Sequence, residues 1–246
     1  MQNQYDPRTT GFGAASVGVP RAARDAGLRS YMLSVYNYMA SGVLLTAIVA
    51  MLFAPYAGQT LISASGRGLS GLGWIVTLAP LGFVFALSMG VTRMQISTVK
   101  MLFWAFAAVM GLSMSTLFLA YTGVSIAQTF VAVTAAFLGL SLFGYTTKKD
   151  LSGFGTFLIM GVVGILVAMV INIFLRSPAM QLAISAIGVL LFAGLTAYDT
   201  QKIKSLYFHV AGSEMVAKSA VMGALTLYLD FINMFTFLLQ FMGNRR

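Results

Sequence analysis

The chain is dominated by seven long apolar segments, each bounded by charged or turn-forming residues. A helix needs about 20 predominantly apolar residues to cross the hydrocarbon core of a bilayer. Membrane-spanning strands would instead alternate polar and apolar residues over about 10 positions, and these continuous runs do not. The sequence therefore predicts an all-α, polytopic membrane protein with seven transmembrane helices. The predicted helices cover residues 34–54, 71–90, 99–121, 125–145, 152–175, 180–203 and 217–243.

The composition agrees with this class, since 59% of the residues are hydrophobic and only 9% are charged. Soluble domains are nearer half apolar and about one quarter charged. Residues 1–30 differ from the rest, because they are rich in Gly, Ala, Arg and Ser and have too little apolar content to pack. We expect residues 1–30 to form a flexible cytoplasmic tail and residues 31–246 to form the transmembrane domain.

Basic residues indicate the orientation of the helices, because cytoplasmic loops collect Lys and Arg. With the N-terminus inside and the C-terminus outside, 11 of the 15 basic residues are cytoplasmic and four are not. We therefore ascribe the net charge of +9 to membrane topology and expect no nucleic-acid partner. The cytoplasmic set is Arg8, Arg21, Arg24, Arg29, Arg93, Lys100, Lys148, Lys149, Lys202, Lys204 and Lys218, and the outer set is Arg67, Arg176, Arg245 and Arg246.

Two of the six acidic residues fall inside predicted helices. Asp199 lies near the cytoplasmic end of the sixth segment, and Asp230 lies 12 residues beyond Lys218, or ~18 Å along a helix. An ionised carboxylate at such depth costs at least about 2.5 to 3.5 kcal/mol, so it faces the bundle interior, pairs, or takes up a proton. Because the sixth and seventh helices are consecutive and antiparallel, we expect these two carboxyl groups to meet.

A buried carboxyl pair predicts a pH-dependent gate. Two like charges in a poorly solvated place cannot both form cheaply, so we expect Asp199 and Asp230 to share one proton. Protonated, the pair can join two helices by a hydrogen bond; ionised, it repels itself and attracts a cation. Calcium prefers six to eight oxygen ligands. We expect a weak Ca2+ site at the pair, with Tyr228 and Asn233 as auxiliary ligands.

A neighbouring cation would change this behaviour. Arg93 follows the second segment and is the basic residue expected to reach the pair as a gating partner. An ordinary positive-inside charge is an equally good interpretation of Arg93. A purely structural role for the two acids, each satisfied by Arg93 or Lys202, also remains open.

Motifs of the common enzyme classes are missing from the sequence. It contains no HExxH, GxxxxGK[ST] or GxSxG pattern, and it lacks the GxGD pattern of intramembrane aspartyl proteases. It also contains no cysteine, which excludes thiolate metal sites and cysteine nucleophiles. We therefore expect a protein that is not an enzyme and holds no tightly bound cofactor.

Several dispersed motifs resemble a known family. AYDTQKIK (197–204) and LYLDFINMF (227–235) are similar to the signature of the Bax inhibitor family, the transmembrane Bax-inhibitor-motif proteins, in its bacterial branch. The similarity runs from about residue 30 to the C-terminus, and the motifs occur in the same order as in the family. Supporting stretches are VYNYMASGVLLTAIVA (35–50), GLSMSTLFLAYTGVSIAQTF (111–130) and FGYTTKKDLSGFGTFLIMG (143–161).

The resemblance implies seven helices with the last one at the centre of the other six, in the inner membrane of a bacterium. It also implies a pH-sensitive Ca2+ leak, in which the family's pH-sensing aspartates correspond to Asp199 and Asp230. The family's arginine at the end of the second helix corresponds to the region of Arg93. Other bacterial members bind and modulate a membrane-anchored ATP-dependent protease. That regulatory function is the alternative, with the N-terminal tail as a handle for the protease.

Overall fold

The computed structural model describes residues 21–65 and 68–246 and consists of helices joined by short connections. Within the described residues, seven helical stretches are long and apolar enough to cross a membrane, with α3 and α4 together forming one of them. The predicted all-α class with seven spanning helices is therefore confirmed. The helices are α1 (Arg21–Leu61), α2 (Gly71–Gly90), α3 (Ile96–Met114), α4 (Leu117–Ala120), α5 (Gly123–Thr146), α6 (Ser152–Leu175), α7 (Pro178–Val210) and α8 (Met215–Met242).

The last helix, α8, forms the core of the bundle. In its most apolar stretch of 18 residues 67% are buried, against 33% or less in every other spanning helix. It packs against α1, α3, α5 and α7, while α2 packs on α1 and α3, and α6 packs on α7. The central position expected for the last helix is confirmed, with α2 and α6 as an outer layer. The buried polar groups of α8 are consequently held away from lipid.

The two ends of the bundle differ in charge. One end carries the start of α1, the α2–α3 turn, the α5–α6 loop and the α7–α8 turn, which include Arg24, Arg93, Lys148 and Lys149. We call it the basic end, and we call the other end, where α8 finishes, the opposite end. Each spanning helix runs antiparallel to the span before it in the chain, so α7 and α8 meet side by side over their length.

Several helix ends differ from the prediction. The first helix begins at Arg21 and continues through Pro55 to Leu61, so the expected loop at 55–70 is shorter. The domain boundary expected at residue 31 falls within this helix, since residues 21–30 are helical and Leu28 is buried in the main core. The tail predicted for residues 1–20 lies outside the described residues. In the same way, α7 extends to Val210 rather than ending at residue 203.

The third span is interrupted where one continuous helix was predicted. The hydroxyl of Ser115 donates to the carbonyl of Leu112 at 2.6 Å, and that of Thr116 donates to the carbonyl of Ser113 at 2.9 Å. Such short-range side-chain bonds compete with regular helix bonding. The chain therefore turns between α3 and α4 before it enters α5.

The C-terminal residues fasten the end of α8 to the α4–α5 junction. Thr122 N–H donates to the carbonyl of Asn244 at 3.1 Å, and Arg246 N–H donates to the carbonyl of Ala120 at 3.0 Å. The guanidinium of Arg245 lies 6.0 Å from the centre of the Tyr121 ring. The central helix is thus fixed at the opposite end by backbone hydrogen bonds.

A glycine permits close contact between α5 and α7. A Cβ atom on Gly144 would collide with the backbone carbonyl of Ala197, two residues before Asp199. Backbone atoms cannot move aside as a flexible side chain can, so this site tolerates only glycine. The approach helps to fix the position of Asp199 on the inner face of α7.

Replacing Gly144 is expected to destabilise the bundle. Gly144→Val should lower the free energy of unfolding by about 1 to 3 kcal/mol, because the larger side chain must push α5 away from α7. Gly139→Val is the matched control, since nothing lies within 4 Å of a Cβ at Gly139 on the same helix. Thermal unfolding in detergent measures both variants. Equal unfolding temperatures would contradict the close approach.

Candidate functional site

Two carboxyl groups meet in the interior of the bundle. Asp199 on α7 is 8% exposed and Asp230 on α8 is 4% exposed. Their side chains lie within hydrogen-bonding reach of each other. The structure therefore brings together the two acids that the sequence singled out. A direct contact between two carboxyl oxygens requires a proton between them, because two ionised groups would repel each other.

The pair is incompletely satisfied by the protein. Oδ2 of Asp230 is buried and has no hydrogen-bond partner among the described residues. Lys202, one turn further along α7, is the basic residue whose charge acts on Asp199. Its side chain is exposed, with Nζ 5.8 Å from the centre of the Tyr198 ring. The pair therefore has one cation at its edge and an oxygen free to accept a further contact.

Apolar side chains close the seam between α7 and α8 on the opposite-end side of the pair. The ring of Phe237 lies against Gly188, where an added Cβ would come within 2.6 Å of the ring. The same ring stacks on Phe192 with 5.8 Å between ring centres. Phe237 is seven residues beyond Asp230, or about 10 Å along α8. We call Gly188, Phe192 and Phe237 the phenylalanine seal.

A polar cluster lies beyond the phenylalanine seal. The amide Nε2 of Gln181 donates to Oε1 of Gln240 at 2.8 Å. The hydroxyl of Ser185 donates to the carbonyl of Gln181 at 2.8 Å and lies 3.4 Å from the same Oε1. Asn172 on α6 donates its amide to Oε1 of Gln181 at 3.2 Å. Polar groups therefore lie on the seam on both sides of the seal, here and at the carboxyl pair.

A smaller apolar contact lies between the pair and the basic end. Ile203 on α7 packs on Gly223 of α8, where an added Cβ would approach the isoleucine to 3.0 Å. Gly223, Asp230 and Phe237 are spaced seven residues apart and each contacts α7. The carboxyl pair is thus enclosed along the seam, with Ile203 on one side and the phenylalanine seal on the other.

Arg93 does not reach the carboxyl pair. It lies in the turn after α2, where its N–H donates to the carbonyl of Gly90 at 2.9 Å and its side chain is exposed. No ion pair joins it to an acid in the part of the chain that the structure describes. The reason is the position of α2, which packs on α1 and α3 in the outer layer. The expected contact between Arg93 and the pair is therefore absent in this conformation.

The two expected auxiliary ligands also point elsewhere. The hydroxyl of Tyr228 lies 2.6 Å from Oγ1 of Thr46 on α1, and its ring packs edge-on against Phe106. Asn233 donates its amide to the carbonyl of Leu229 at 2.8 Å within its own helix. Neither side chain is hydrogen-bonded to the carboxyl pair, so neither is placed as a ligand for an ion there.

A resident metal site does not fit the residues present. No group of three or more His, Asp or Glu side chains that could hold a metal occurs among the described residues. Two carboxyl groups supply few of the six to eight oxygens that calcium prefers. The pair alone therefore suits only a brief contact with a cation that keeps part of its hydration shell.

Sequence reasoning missed the phenylalanine seal and the glutamine cluster. Phe192 and Phe237 are two among 19 phenylalanines, and nothing in composition distinguishes them. One signal in the sequence could have indicated this face of the last helix. Positions 223, 230 and 237 are spaced seven residues apart, and so are the polar positions 226, 233 and 240. Such spacing marks one face of a helix that packs along a neighbour.

Known proteins match nearly the whole chain. A family described as "Inhibitor of apoptosis-promoting Bax1" matches residues 28–246. The Escherichia coli inner membrane protein YbhL is 44% identical over 90% of this chain and 94% of its own length. A Rickettsia prowazekii protein is 45% identical over 90% and 92%. A Caulobacter vibrioides protein is 43% identical over 95% and 96%. The carboxyl pair lies within residues 28–246, which the family matches, and the chain belongs to the Bax inhibitor family of multi-pass membrane proteins.

Proposed function

We propose that the protein is a leak channel for Ca2+ or a similar cation and that protonation of Asp199 and Asp230 gates it. The observation that carries the proposal is the contact between these two carboxyl groups on the buried seam of α7 and α8. Carboxyl groups buried within a membrane bundle are costly, and such residues mark ion pathways and proton relays.

In the closed state the pair holds one proton or two and joins α7 to α8. The proton lies in a hydrogen bond between the carboxyl groups, and this bond ties the two helices together near the middle of the membrane. The phenylalanine seal blocks the seam on one side of the pair and Ile203 blocks it on the other. The described conformation fits this closed state.

Loss of the last shared proton opens the seam. Two adjacent negative charges with little solvent repel each other, and this repulsion acts directly between α7 and α8. The same charges attract a cation, which offsets the repulsion while it is bound. The few oxygens available keep binding weak, so the ion passes on. Protonation reverses the step, and acidification therefore closes the channel.

The basic end of the bundle is assigned to the cytoplasm in this proposal, because cytoplasmic loops collect Lys and Arg. A cation leaving the pair on that side passes Ile203, and the positive charge of Lys202 near Asp199 weakens the binding of the cation at the pair. Binding to a membrane-anchored protease, the other function implied by the family resemblance, stays a prediction from the sequence.

Neutral variants of the pair are expected to lose the pH response. In proteoliposomes, Ca2+ flux through the wild-type protein should rise with pH, because the pair ionises. Asn cannot ionise, so in Asp199→Asn and Asp230→Asn the ratio of flux at high pH to flux at low pH should fall towards one. A Ca2+ indicator inside the liposomes measures the flux.

Asp150→Asn is the matched control for these variants. Hydrogen bonds from the side chain and the backbone N–H of Ser152 lower the pKa of Asp150. This exposed carboxylate therefore stays ionised between about pH 5 and pH 8, and its removal should leave the pH response unchanged. Wild-type flux equal to that of empty liposomes at every pH would contradict the channel, and flux that falls as pH rises would contradict the direction of gating.

Tyr228→Phe is expected to separate stability from gating. The variant loses the hydrogen bond to Thr46, which should lower the free energy of unfolding by about 1 kcal/mol. It should keep the pH dependence of Ca2+ flux, because the hydroxyl makes no contact with Asp199 or Asp230. Thermal unfolding and flux are measured on the same preparation. A flattened pH response in this variant would show that Tyr228 takes part in the gate.

Truncating the phenylalanine seal is expected to raise the flux at acidic pH. Phe237→Ala removes the bulkier of the two apolar contacts that block the seam, so some ions should leak past the protonated pair and the smaller Ile203 contact. Phe241→Ala is the matched control, because Phe241 lies one turn further along α8 and is exposed. The same liposome assay at acidic pH compares the two.

The loss of a buried ring costs about 3 to 5 kcal/mol, so folding must be checked by monodisperse elution, with Phe237→Val as a milder variant. Acid-pH flux through folded Phe237→Val or Phe237→Ala no greater than through Phe241→Ala would contradict the role of the seal.

A further inference from the structure

A second feature lies apart from the carboxyl pair, on the lipid-facing side of α1 and α5. There a groove of about 480 Å³ opens near the basic end. Helix α1 packs mainly on α3 and α8, and α5 packs on α7 and α8, so the two helices have little direct contact and a space is left between them. The channel proposed above does not use this groove.

The walls of the groove are apolar and open to the bilayer. Leu33 on α1 and Leu138 and Leu142 on α5 line it, and all three side chains are exposed. Because these helices span the membrane, the fluid against this surface is lipid. The part of α1 that lines the groove runs from Arg29 to Tyr36, or about 10 Å along the helix axis. This length can accommodate the part of one acyl chain that is nearest the headgroup.

The floor of the groove is polar but satisfied within the protein. The hydroxyl of Thr200 donates to the carbonyl of Thr196 at 2.7 Å, so the hydroxyl of Ser141, 3.0 Å away, must donate to Thr200. The hydroxyl of Tyr36, 2.6 Å from Ser141, must then donate to Ser141. Each hydroxyl has one proton, and all three are used. An acyl chain can therefore lie over this floor without breaking a hydrogen bond.

The mouth of the groove carries an unpaired positive charge. Arg29 lines the mouth with its side chain exposed, and no acid of the described residues pairs with it. Across the mouth, Nζ of Lys204 donates to the carbonyl of Tyr145 at 2.7 Å and lies 4.9 Å from the centre of its ring. Lys148 and Lys149 follow on the exposed loop. A guanidinium with its donors free suits a phosphate group.

We propose that this groove binds one anionic phospholipid from the leaflet at the basic end. Its phosphate contacts Arg29, and one of its acyl chains lies between Leu33 of α1 and Leu138 and Leu142 of α5, over the hydroxyl floor. The bound lipid fills the gap between α1 and α5 and so completes the packing of the bundle on that side.

Native mass spectrometry of the purified protein tests the proposal. With equal amounts of phosphatidylglycerol and phosphatidylcholine, the wild-type protein should retain one phosphatidylglycerol in preference to phosphatidylcholine. Arg29→Gln should weaken that retention about fivefold, as expected for one basic residue at a membrane surface. Leu142→Trp should weaken it by filling the groove.

Two matched variants and one further ligand complete the test. Arg24→Gln removes an exposed charge from the same helix outside the groove, and Leu166→Trp adds a ring to the exposed face of α6. Both should retain phosphatidylglycerol as the wild type does. Equal losses in Arg29→Gln and Arg24→Gln, or equal retention of the two lipids, would overturn the proposal. Displacement of the lipid by inorganic phosphate would also overturn it, because it would show that the acyl groove adds nothing.

Discussion

The contact between Asp199 and Asp230 is the constraint on which the rest of the structure depends. Two acids can lie inside a membrane bundle only if they are kept away from lipid and a proton, a cation or water compensates their charge. The bundle meets the first condition by placing α8 in its core and packing α7 along it. It meets the second by bringing the two carboxyl groups within reach of one proton. The central position of α8 and the protonation of the carboxyl pair therefore depend on each other.

Small residues allow the helices around the carboxyl pair to approach each other closely. Gly144 lets α5 approach the backbone of α7 close to Asp199, while Gly188 and Gly223 admit Phe237 and Ile203 into the seam. The favourable packing around the carboxyl groups offsets the free energy needed to bury them. The proposed gate would respond to a proton because little else in the seam can compensate a second negative charge.

Much of the fold could be predicted from hydropathy, because the bilayer imposes a length and an apolar composition on each spanning helix. The ends of α1 and α7 could not be predicted in this way. These helices continue beyond the hydrocarbon region, where the residues need not be apolar and hydropathy does not distinguish a helix from a loop. The break before α4 was missed for another reason. It depends on hydroxyls that bond back to carbonyls of the preceding turn, and Ser115 and Thr116 look like ordinary small residues of a membrane helix.

The carboxyl pair was predictable because α7 and α8 are consecutive, antiparallel and each carry one deep acid. Its surroundings were not, since sequence proximity does not fix direction around a helix. Tyr228 is two residues from Asp230 and points about 200° away around the helix, towards α1. Arg93 is on a turn whose helix lies in the outer layer. The phenylalanine seal required knowing which face of α8 meets α7.

The shared proton can be observed directly by infrared difference spectroscopy of the reconstituted protein between acidic and alkaline pH. The account predicts a carbonyl band of a protonated carboxylic acid that disappears as pH rises, over the range in which Ca2+ flux increases. The band should be missing when both Asp199 and Asp230 are replaced by Asn. A carboxylic acid band that persists in that double variant, or no change in the band over the range in which flux changes, would contradict the account.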